Sequence, residues 1–300
     1  MNDDVYQKYK LAGQIAAKAR DFGKDMIKPG IRLLDVATKV EGLIKEDGAS
    51  LSFPVNISIN DIAAHYSPTH DDSLIFKKGD VVKLDVGSHV GGYIADTAVT
   101  VEVENNNFED MIKASSDALE NAIKLMKPGI SFTEIGKTIE DTIGSYDYKP
   151  IDNLTGHSLE QYKLHSGVSV PNVSTAFSRT KPRVGDVFAI EPFATNGAGH
   201  VVSGKGSNIY ICNSSVRTRI VRDTRSKILF NRFKNEFKTL PFAQRWAEKL
   251  IPNSQMFLRR LIHLGLIKEY PQLIEVNAGI ITQKEHTVIV TEQGCEITTK

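Results

Sequence analysis

The stretch VVKLDVGSHVGGYIADTAV, residues 81–99, consists of two β-rich runs that place Asp85 and Asp96 among apolar residues. The glycine-containing reversal near residues 90–92 predicts a β-hairpin. If the turn centres between residues 90 and 91, the two aspartates lie directly opposite each other, with their Cβ atoms about 4.5 to 5.5 Å apart. A shared proton, a basic side chain or a divalent cation must then neutralise them. Hard cations with carboxylate oxygen ligands fit best.

The chain around this hairpin contains an internal repeat. KPGIRLLDVATKVE at 28–41 matches KPGISFTEIGKTIE at 127–140, and GDVVKLD at 79–85 matches GDVFAIE at 185–191. The second motif places a carboxylate six residues after its glycine in both halves, at Asp85 and at Glu191. The sequence therefore predicts two structurally related halves.

Each half has the same predicted order of elements. Apolar residues recur at three- and four-residue spacing before each KPGI, and Pro-Gly then ends the helix. A second helix follows; Ser131 with Glu134 predicts a capping box for the later one, whereas Arg32 leaves the earlier one without it. β-rich stretches come next. We therefore predict an α+β fold with pseudo-twofold symmetry, in which both halves share one antiparallel β-sheet covered by helices on one side.

Composition excludes several classes of protein. The 300 residues have a net charge of +1 and are 41% hydrophobic, as expected for one large or two small globular domains. The start, MNDDVYQKYK, is polar, and no long uncharged apolar run exists, so we expect no signal peptide, no membrane span and a cytoplasmic location. Cys212 and Cys295 are too few for a disulfide framework or a thiolate metal site.

Two further acids extend the candidate site. Glu191 is the repeat equivalent of Asp85 and lies in the apolar run VFAIEPF, and Glu285 precedes an apolar strand in QKEHTVIV. Four acids on separate apolar strands are costly to bury unless a metal compensates their charge.

Three of the eight histidines also indicate a functional role. His65 in DIAAHYSP and His165 are 100 residues apart, close to the repeat offset, and His157 follows a glycine in NLTGHSLEQYKLHSG. We treat the other five as ordinary surface or core residues.

Four segments together resemble the successive signatures of type 2 methionine aminopeptidases, particularly the short archaeal form: DVGSHVGGYIADTAVTV, NLTGHSLEQYKLHSG, VFAIEPFATNGAG and EHTVIV. The resemblance covers nearly the whole chain. It implies the pita-bread fold shared with prolidase, aminopeptidase P and creatinase. It also implies a catalytic domain at 1–211 plus 274–300, with a helical insertion subdomain at 212–273.

The same resemblance implies a dinuclear metal site. Asp85 would bind one ion, Asp96 and Glu285 would bridge both, and His157 with Glu191 would bind the other. This ligand set accepts cobalt, manganese, iron or zinc, so we expect two divalent metal ions without assigning their identity.

The resemblance further implies the roles of the substrate-contacting residues. Two ions about 3.5 to 4 Å apart can share a water and lower its pKa, so that hydroxide attacks the first peptide bond. One ion would also bind the free N-terminal amine. Glu191 would shuttle the proton, His165 would donate to the carbonyl oxygen, and His65 would interact near the scissile nitrogen. Phe53 matches a pocket residue.

The predicted insertion has an unusual charge. Residues 214–260 contain twelve Lys and Arg against three Asp and Glu. A solvated basic helical face accounts for this excess, and so does contact with ribosomal RNA, since nascent chains emerge beside its phosphates. If the segment contacts ribosomal RNA, neutralising Arg217, Arg219, Arg222 and Arg225 should weaken co-sedimentation with ribosomes and make it less sensitive to salt. If the charge only solvates a helical face, binding should not change.

The implied activity is removal of the initiator methionine from nascent proteins and peptides, by an enzyme that we expect to be a monomer. One alternative is Xaa-Pro dipeptidase or aminopeptidase P activity, which uses the same ligands; those relatives generally have an extra N-terminal domain and lack the basic insertion. The other is a non-enzymatic ribosome- or RNA-binding member of the fold, although such members have usually lost metal ligands.

Overall fold

The structure is a computed structural model and describes residues 1–175, 180–216 and 223–300. Its helices are α1 (Asp3–Met26), α2 (Leu33–Glu46), α3 (Glu109–Leu125), α4 (Phe132–Gly144), α5 (Thr224–Phe237), α6 (Gln244–Leu250) and α7 (Ser254–His263). Its strands are β1 (Ser50–Leu51), β2 (Asn56–Ile59), β3 (Ile62–Ala64), β4 (Val81–Val90), β5 (Tyr93–Glu102), β6 (Lys149–Pro150), β7 (Thr155–Ser158), β8 (Ser169–Pro171), β9 (Val187–Ile190), β10 (Phe193–Thr195), β11 (Val201–Cys212), β12 (Phe242–Ala243), β13 (Ile267–Glu275), β14 (Ile281–Gln283), β15 (His286–Val290) and β16 (Cys295–Ile297). None of the helices in these ranges has both the length and the apolar composition needed to cross a bilayer.

The two predicted halves are present. Helices α1 and α2 precede β4, and helices α3 and α4 precede β9, with a separate apolar core under each pair. Both KPG segments end a helix, and Gly30 and Gly129 take φ values of +82° and +79°, a conformation that glycine adopts readily. The side chain of Ser131 caps α4 by accepting a hydrogen bond from the Thr133 N–H at 3.3 Å, whereas Arg32 makes no such bond for α2.

The predicted hairpin is confirmed, but its predicted turn position is wrong. Val90 pairs with Tyr93, so the turn consists of Gly91 and Gly92, which have φ values of +61° and +91°. Two-residue turns with positive φ at both positions match the twist of the flanking strands, which explains why the chain reverses one residue later than predicted.

This shift changes how the two aspartates face each other. Asp85 lies opposite Ala98, and Asp96 lies opposite Gly87. Because side chains two residues apart on a strand share a face, the aspartates are diagonal neighbours on one face instead of a directly opposed pair.

The α+β class and the antiparallel pairing are confirmed, but the strands in the described part of the chain do not form one continuous sheet. They form four antiparallel sheets, ordered β1-β4-β2 with β5 on β4, β14-β10-β6, β12-β11-β13-β3 and β16-β15-β9-β7-β8. An isolated bridge between Ala98 and Glu285 links β5 to the residue that precedes β15. The two halves therefore meet where two of the predicted site acids lie.

Helices form in the predicted insertion, as the apolar spacing indicated. Helices α5, α6 and α7 surround an apolar cluster of their own that includes Phe230, Phe233 and Leu258. The segment leaves and re-enters through paired strands, since Cys212 of β11 lies opposite Ile267 of β13. The boundary at 212–273 stays a prediction.

A buried ion pair connects this helical segment to the first half. Arg245 of α6 binds Glu41 of α2, and the Trp246 Nε1 donates to the same carboxylate at 2.8 Å. Arg245 also donates to the Ser67 hydroxyl at 2.7 Å, so the guanidinium is held from two directions.

Candidate metal centre

The structure brings all five predicted metal ligands into one cavity. Asp85 lies in β4, Asp96 in β5 and His157 in β7, while Glu191 directly follows β9 and Glu285 directly precedes β15. The cavity therefore lies where the two halves of the repeat meet.

Three of these side chains are close enough to share one ion. Ligand atoms of Asp96, His157 and Glu285 all lie within 4.8 Å of one another, and all three residues are buried. The Nε2 atom of His157 is 3.6 Å from a carboxylate oxygen of Asp96 and 3.7 Å from one of Glu191.

Three of the four carboxyl groups have an oxygen that lacks a hydrogen-bond donor within the described ranges, whereas Glu191 Oε2 accepts from the Gln283 Nε2 at 3.4 Å. Among the described residues, Asp85 Oδ1, Asp96 Oδ1 and Glu285 Oε2 are buried without a hydrogen-bond partner. Burial raises the pKa of Asp85 to about 7. Burial, followed by repulsion from neighbouring carboxylates, also raises the pKa of Asp96, Glu191 and Glu285 well above their ordinary values. Buried oxygen acceptors that repel one another, together with one imidazole, fit divalent cations.

The three predicted histidines also reach this cavity, and burial disfavours the charged form of each. Burial lowers the pKa of His157 to about 3 and that of His65 to about 4, with a further contribution from His165 in each case. Burial also lowers the pKa of His165. The rings of His157 and His165 are 4.3 Å apart between centroids. A neutral imidazole can either coordinate a metal or donate one N–H.

The backbone of His65 is strained. Its φ of +67° is uncommon for a residue with a Cβ, and strain of this kind often accompanies a functional site. Its Nδ1 lies 3.3 Å from the Pro271 carbonyl oxygen, and its ring meets Tyr270 edge-on at 5.2 Å. These contacts hold the imidazole at the cavity wall.

An apolar wall completes a narrow cavity of about 70 Å³. Phe53, predicted as a pocket residue, lines it and is 4% exposed. Space for the Phe53 ring depends on Gly87, because a Cβ there would lie 2.1 Å from Phe53 Cε1.

Several residues of the cavity were not identified from the sequence. They include the apolar residues Leu164, Ile209 and Pro241, the ring of Tyr270, and the polar residue Asn56. Leu164 adjoins His165, and Asn56 is three residues after Phe53. Their closeness in sequence to predicted site residues was therefore a weak indication that they line the cavity. Ile209, Pro241 and Tyr270 come from parts of the chain without a motif.

Comparison with known proteins places the chain in a family. Residues 7–292 match the metallopeptidase family M24, and the chain belongs to this family. A protein named methionine aminopeptidase from Methanocaldococcus jannaschii is 47% identical over 302 residues, covering 100% of both chains. Another of that name from Pyrococcus abyssi is 46% identical over 291 residues, covering 96% of this chain and 97% of that protein.

Solved structures confirm the fold. A thermophilic Arx1 has a TM-score of 0.86 at 18% identity, covering 99% of this chain and 91% of that one. A methionine aminopeptidase from Thermotoga maritima has a TM-score of 0.73 at 24% identity, covering 100% and 98%. A prolidase from Pyrococcus furiosus has a TM-score of 0.62 at 19% identity, and this chain spans 64% of it. The predicted pita-bread fold is therefore confirmed.

Proposed function

We propose that this protein is a metal-dependent aminopeptidase that removes the N-terminal methionine from nascent proteins and peptides. One observation carries the proposal: an imidazole and four carboxyl groups, three of these five groups on strands and two at strand ends, meet in one cavity beside an apolar wall. The specificity for methionine is supported by relatives named methionine aminopeptidase, which are 46% to 47% identical and match nearly the whole length of this chain.

The ligand roles are part of this proposal. Asp85 would bind one divalent ion, Asp96 and Glu285 would bridge two ions, and His157 and Glu191 would hold the second. Divalent ions bound there would supply an activated water and a Lewis acid. A second ion is supported because, in the described part of the chain, Asp85 and Glu191 fall outside the group formed by Asp96, His157 and Glu285, whose ligand atoms lie within 4.8 Å of one another.

The remaining residues would act on the peptide directly. Glu191 would take a proton from the attacking water on its carboxylate and return it to the leaving amine. His165, as a neutral imidazole, would donate an N–H to the carbonyl oxygen as charge develops there. His65 would interact near the scissile nitrogen, and Phe53 would pack against the methionine side chain.

A peptide assay tests the activity against its closest alternative. The purified protein, with cobalt, manganese, iron or zinc added in turn, is offered Met-Ala-Ser and an Xaa-Pro peptide. We expect free methionine from Met-Ala-Ser alone. Cleavage confined to the Xaa-Pro peptide would favour a prolidase-like enzyme, and no cleavage with any metal would favour a binding protein of this fold.

We also propose that the helical segment contacts the ribosome, in a monomeric cytoplasmic enzyme. Part of its excess positive charge is paired within the protein, because Arg245 is buried against Glu41 and the Arg260 Nη2 lies 2.6 Å from the Asp223 Oδ2. Arg225 and Arg232 are exposed one above the other on α5 and leave their charge available to phosphates. Arg217, Arg219 and Arg222, which the sequence also suggests, lie outside the described residues.

Ribosome co-sedimentation tests this contact. Arg225→Gln with Arg232→Gln should weaken binding and reduce its dependence on salt, because fewer counterions are released. The matched control is Lys113→Gln with Lys124→Gln, which removes two exposed charges from α3. Equal binding by both double variants would contradict the proposal.

A further inference from the structure

Asn56 lies directly beside the proposed metal ligand Asp85. It is the first residue of β2, and its partner across the antiparallel ladder is Asp85 of β4. Side chains in such a pair share one face of the sheet, with Cβ atoms about 4.5 to 5.5 Å apart. Both residues line the cavity, and Asn56 is only 4% exposed.

The orientation of the Asn56 amide is fixed, and its oxygen lacks a partner. The Asn56 Nδ2 donates to the Pro54 carbonyl oxygen at 2.8 Å, and turning the amide over would bring two acceptors together. The buried Asn56 Oδ1 has no hydrogen-bond partner among the described residues. Asp85 cannot supply one when ionised, because its carboxylate is itself an acceptor. The cavity therefore offers an acceptor that needs an N–H or O–H donor.

We propose that Asn56 Oδ1 accepts a hydrogen bond from the free α-amino group of the peptide's first residue. This inference rests on the proposed function, since an aminopeptidase must distinguish a free amine from an amide. Asn56 pairs with Asp85 across the sheet, and it follows Phe53 by three residues in the chain. It therefore lies between the proposed metal ligand and the apolar wall of the cavity. An amino group held there leaves the attached side chain next to the apolar wall.

Binding measurements on the metal-loaded full chain test the role of Asn56. Calorimetry compares L-methionine with its des-amino analogue, which lacks only the amino group, in the wild type and in Asn56→Ala. We expect the variant to bind L-methionine about 5- to 30-fold more weakly, as for loss of one buried hydrogen bond, and to bind the analogue unchanged. Equal weakening of both ligands, or no weakening of either, would overturn the inference.

Two controls distinguish a hydrogen bond to the amino group from general disruption of β2 and from metal coordination. Ser58→Ala removes a buried hydroxyl from the same face of β2 outside the cavity and should preserve the preference for L-methionine; this hydroxyl, too, has no hydrogen-bond partner within residues 1–175, 180–216 and 223–300. Metal affinity should be unchanged in Asn56→Ala, whereas a large loss would show that the amide oxygen binds the cation instead. If the wild type releases no methionine from Met-Ala-Ser, the proposed function fails; if it does and Asn56→Ala keeps its preference, only this inference fails.

Discussion

Replacing Asp85 with asparagine should stabilise the metal-free protein at alkaline pH, although the same change weakens its affinity for cations. Burial raises the pKa of Asp85 from its ordinary value of 3.8 to about 7. A group whose pKa is raised by folding favours the folded state while it is protonated, and this contribution is lost as pH rises through the folded-state value. Asparagine cannot ionise, so the variant avoids this loss.

The expected size of the effect follows from the two pKa values of Asp85. One pKa unit corresponds to about 1.4 kcal/mol, so the full shift from 3.8 to about 7 amounts to about 4 kcal/mol. When the free energy of unfolding is compared at pH 5 and pH 8, only the loss between about pH 5 and about pH 7 contributes to the difference. The stability of Asp85→Asn relative to wild type should therefore increase by about 3 kcal/mol between these conditions.

Other buried groups make the comparison with wild type necessary. Burial lowers the pKa of His65 to about 4 and that of His157 to about 3, so both add stability as pH rises toward 6.5. Burial also lowers the pKa of Lys83 to about 7, so this lysine adds stability above that pH. The contributions of these three groups occur in both proteins and cancel to first order in the difference. Those of Asp96, Glu191 and Glu285 do not cancel, because the charge of Asp85 helps to raise their pKa in wild type alone; their loss in the variant acts in the same direction as the loss of Asp85 itself.

Urea unfolding, followed by fluorescence of the single tryptophan in the presence of a chelator, measures the effect. Exposed Asp110→Asn is the control for losing a charge as such. Added divalent ions should reverse the order of stability at pH 8, because wild type binds them more tightly. If Asp85→Asn and wild type differ in stability by the same amount at both pH values without metal, the pKa of Asp85 is not raised by folding.

Three shorter predictions address the pocket, the helical segment and catalysis. Gly87→Ala brings a methyl group to 2.1 Å from Phe53, so the ring must move and KM for Met-Ala-Ser should rise about tenfold; an unchanged KM contradicts this. Glu41→Gln leaves the buried Arg245 charge without its partner and should cost about 3 kcal/mol in urea unfolding, whereas equal stability would mean that solvent reaches the pair. His165→Ala should lower kcat about 100-fold with little change in KM; a change in KM alone would argue against donation to the transition state.

The repeat made much of the fold and the position of the candidate site predictable. Helix ends at Pro-Gly and alternating β-rich runs are local signals, so the order of elements in each half follows from them. Asp85 and Glu191 were identifiable because the repeat places them at the same position of two related strands. A single acid on an apolar strand indicates little by itself, but several such acids at related positions of the repeat together indicate a functional site.

The register of the hairpin and most of the apolar wall were less predictable. Gly91 and Gly92 allow more than one tight turn, and a shift of one residue in the turn centre moves the facing pair by two positions. Ile209 and Tyr270 reach the cavity through the pairing of β11 with β13, whose ladder contains two register shifts. Such contacts depend on long-range packing, which leaves no short motif in the sequence.

Backbone contacts between the two halves explain how the fold tolerates repelling acids at its centre. The Thr287 hydroxyl accepts from the Asp96 N–H and donates to the Asp96 carbonyl oxygen, both at 2.8 Å. The Thr97 hydroxyl donates to the Glu285 carbonyl oxygen at 2.9 Å. Because these bonds involve the backbones of Asp96 and Glu285, they hold the two proposed bridging residues together whatever the charge of their carboxyl groups. The spacing of the donors is therefore set by the sheet, and a cation needs to relieve only the repulsion between side chains that are already in position.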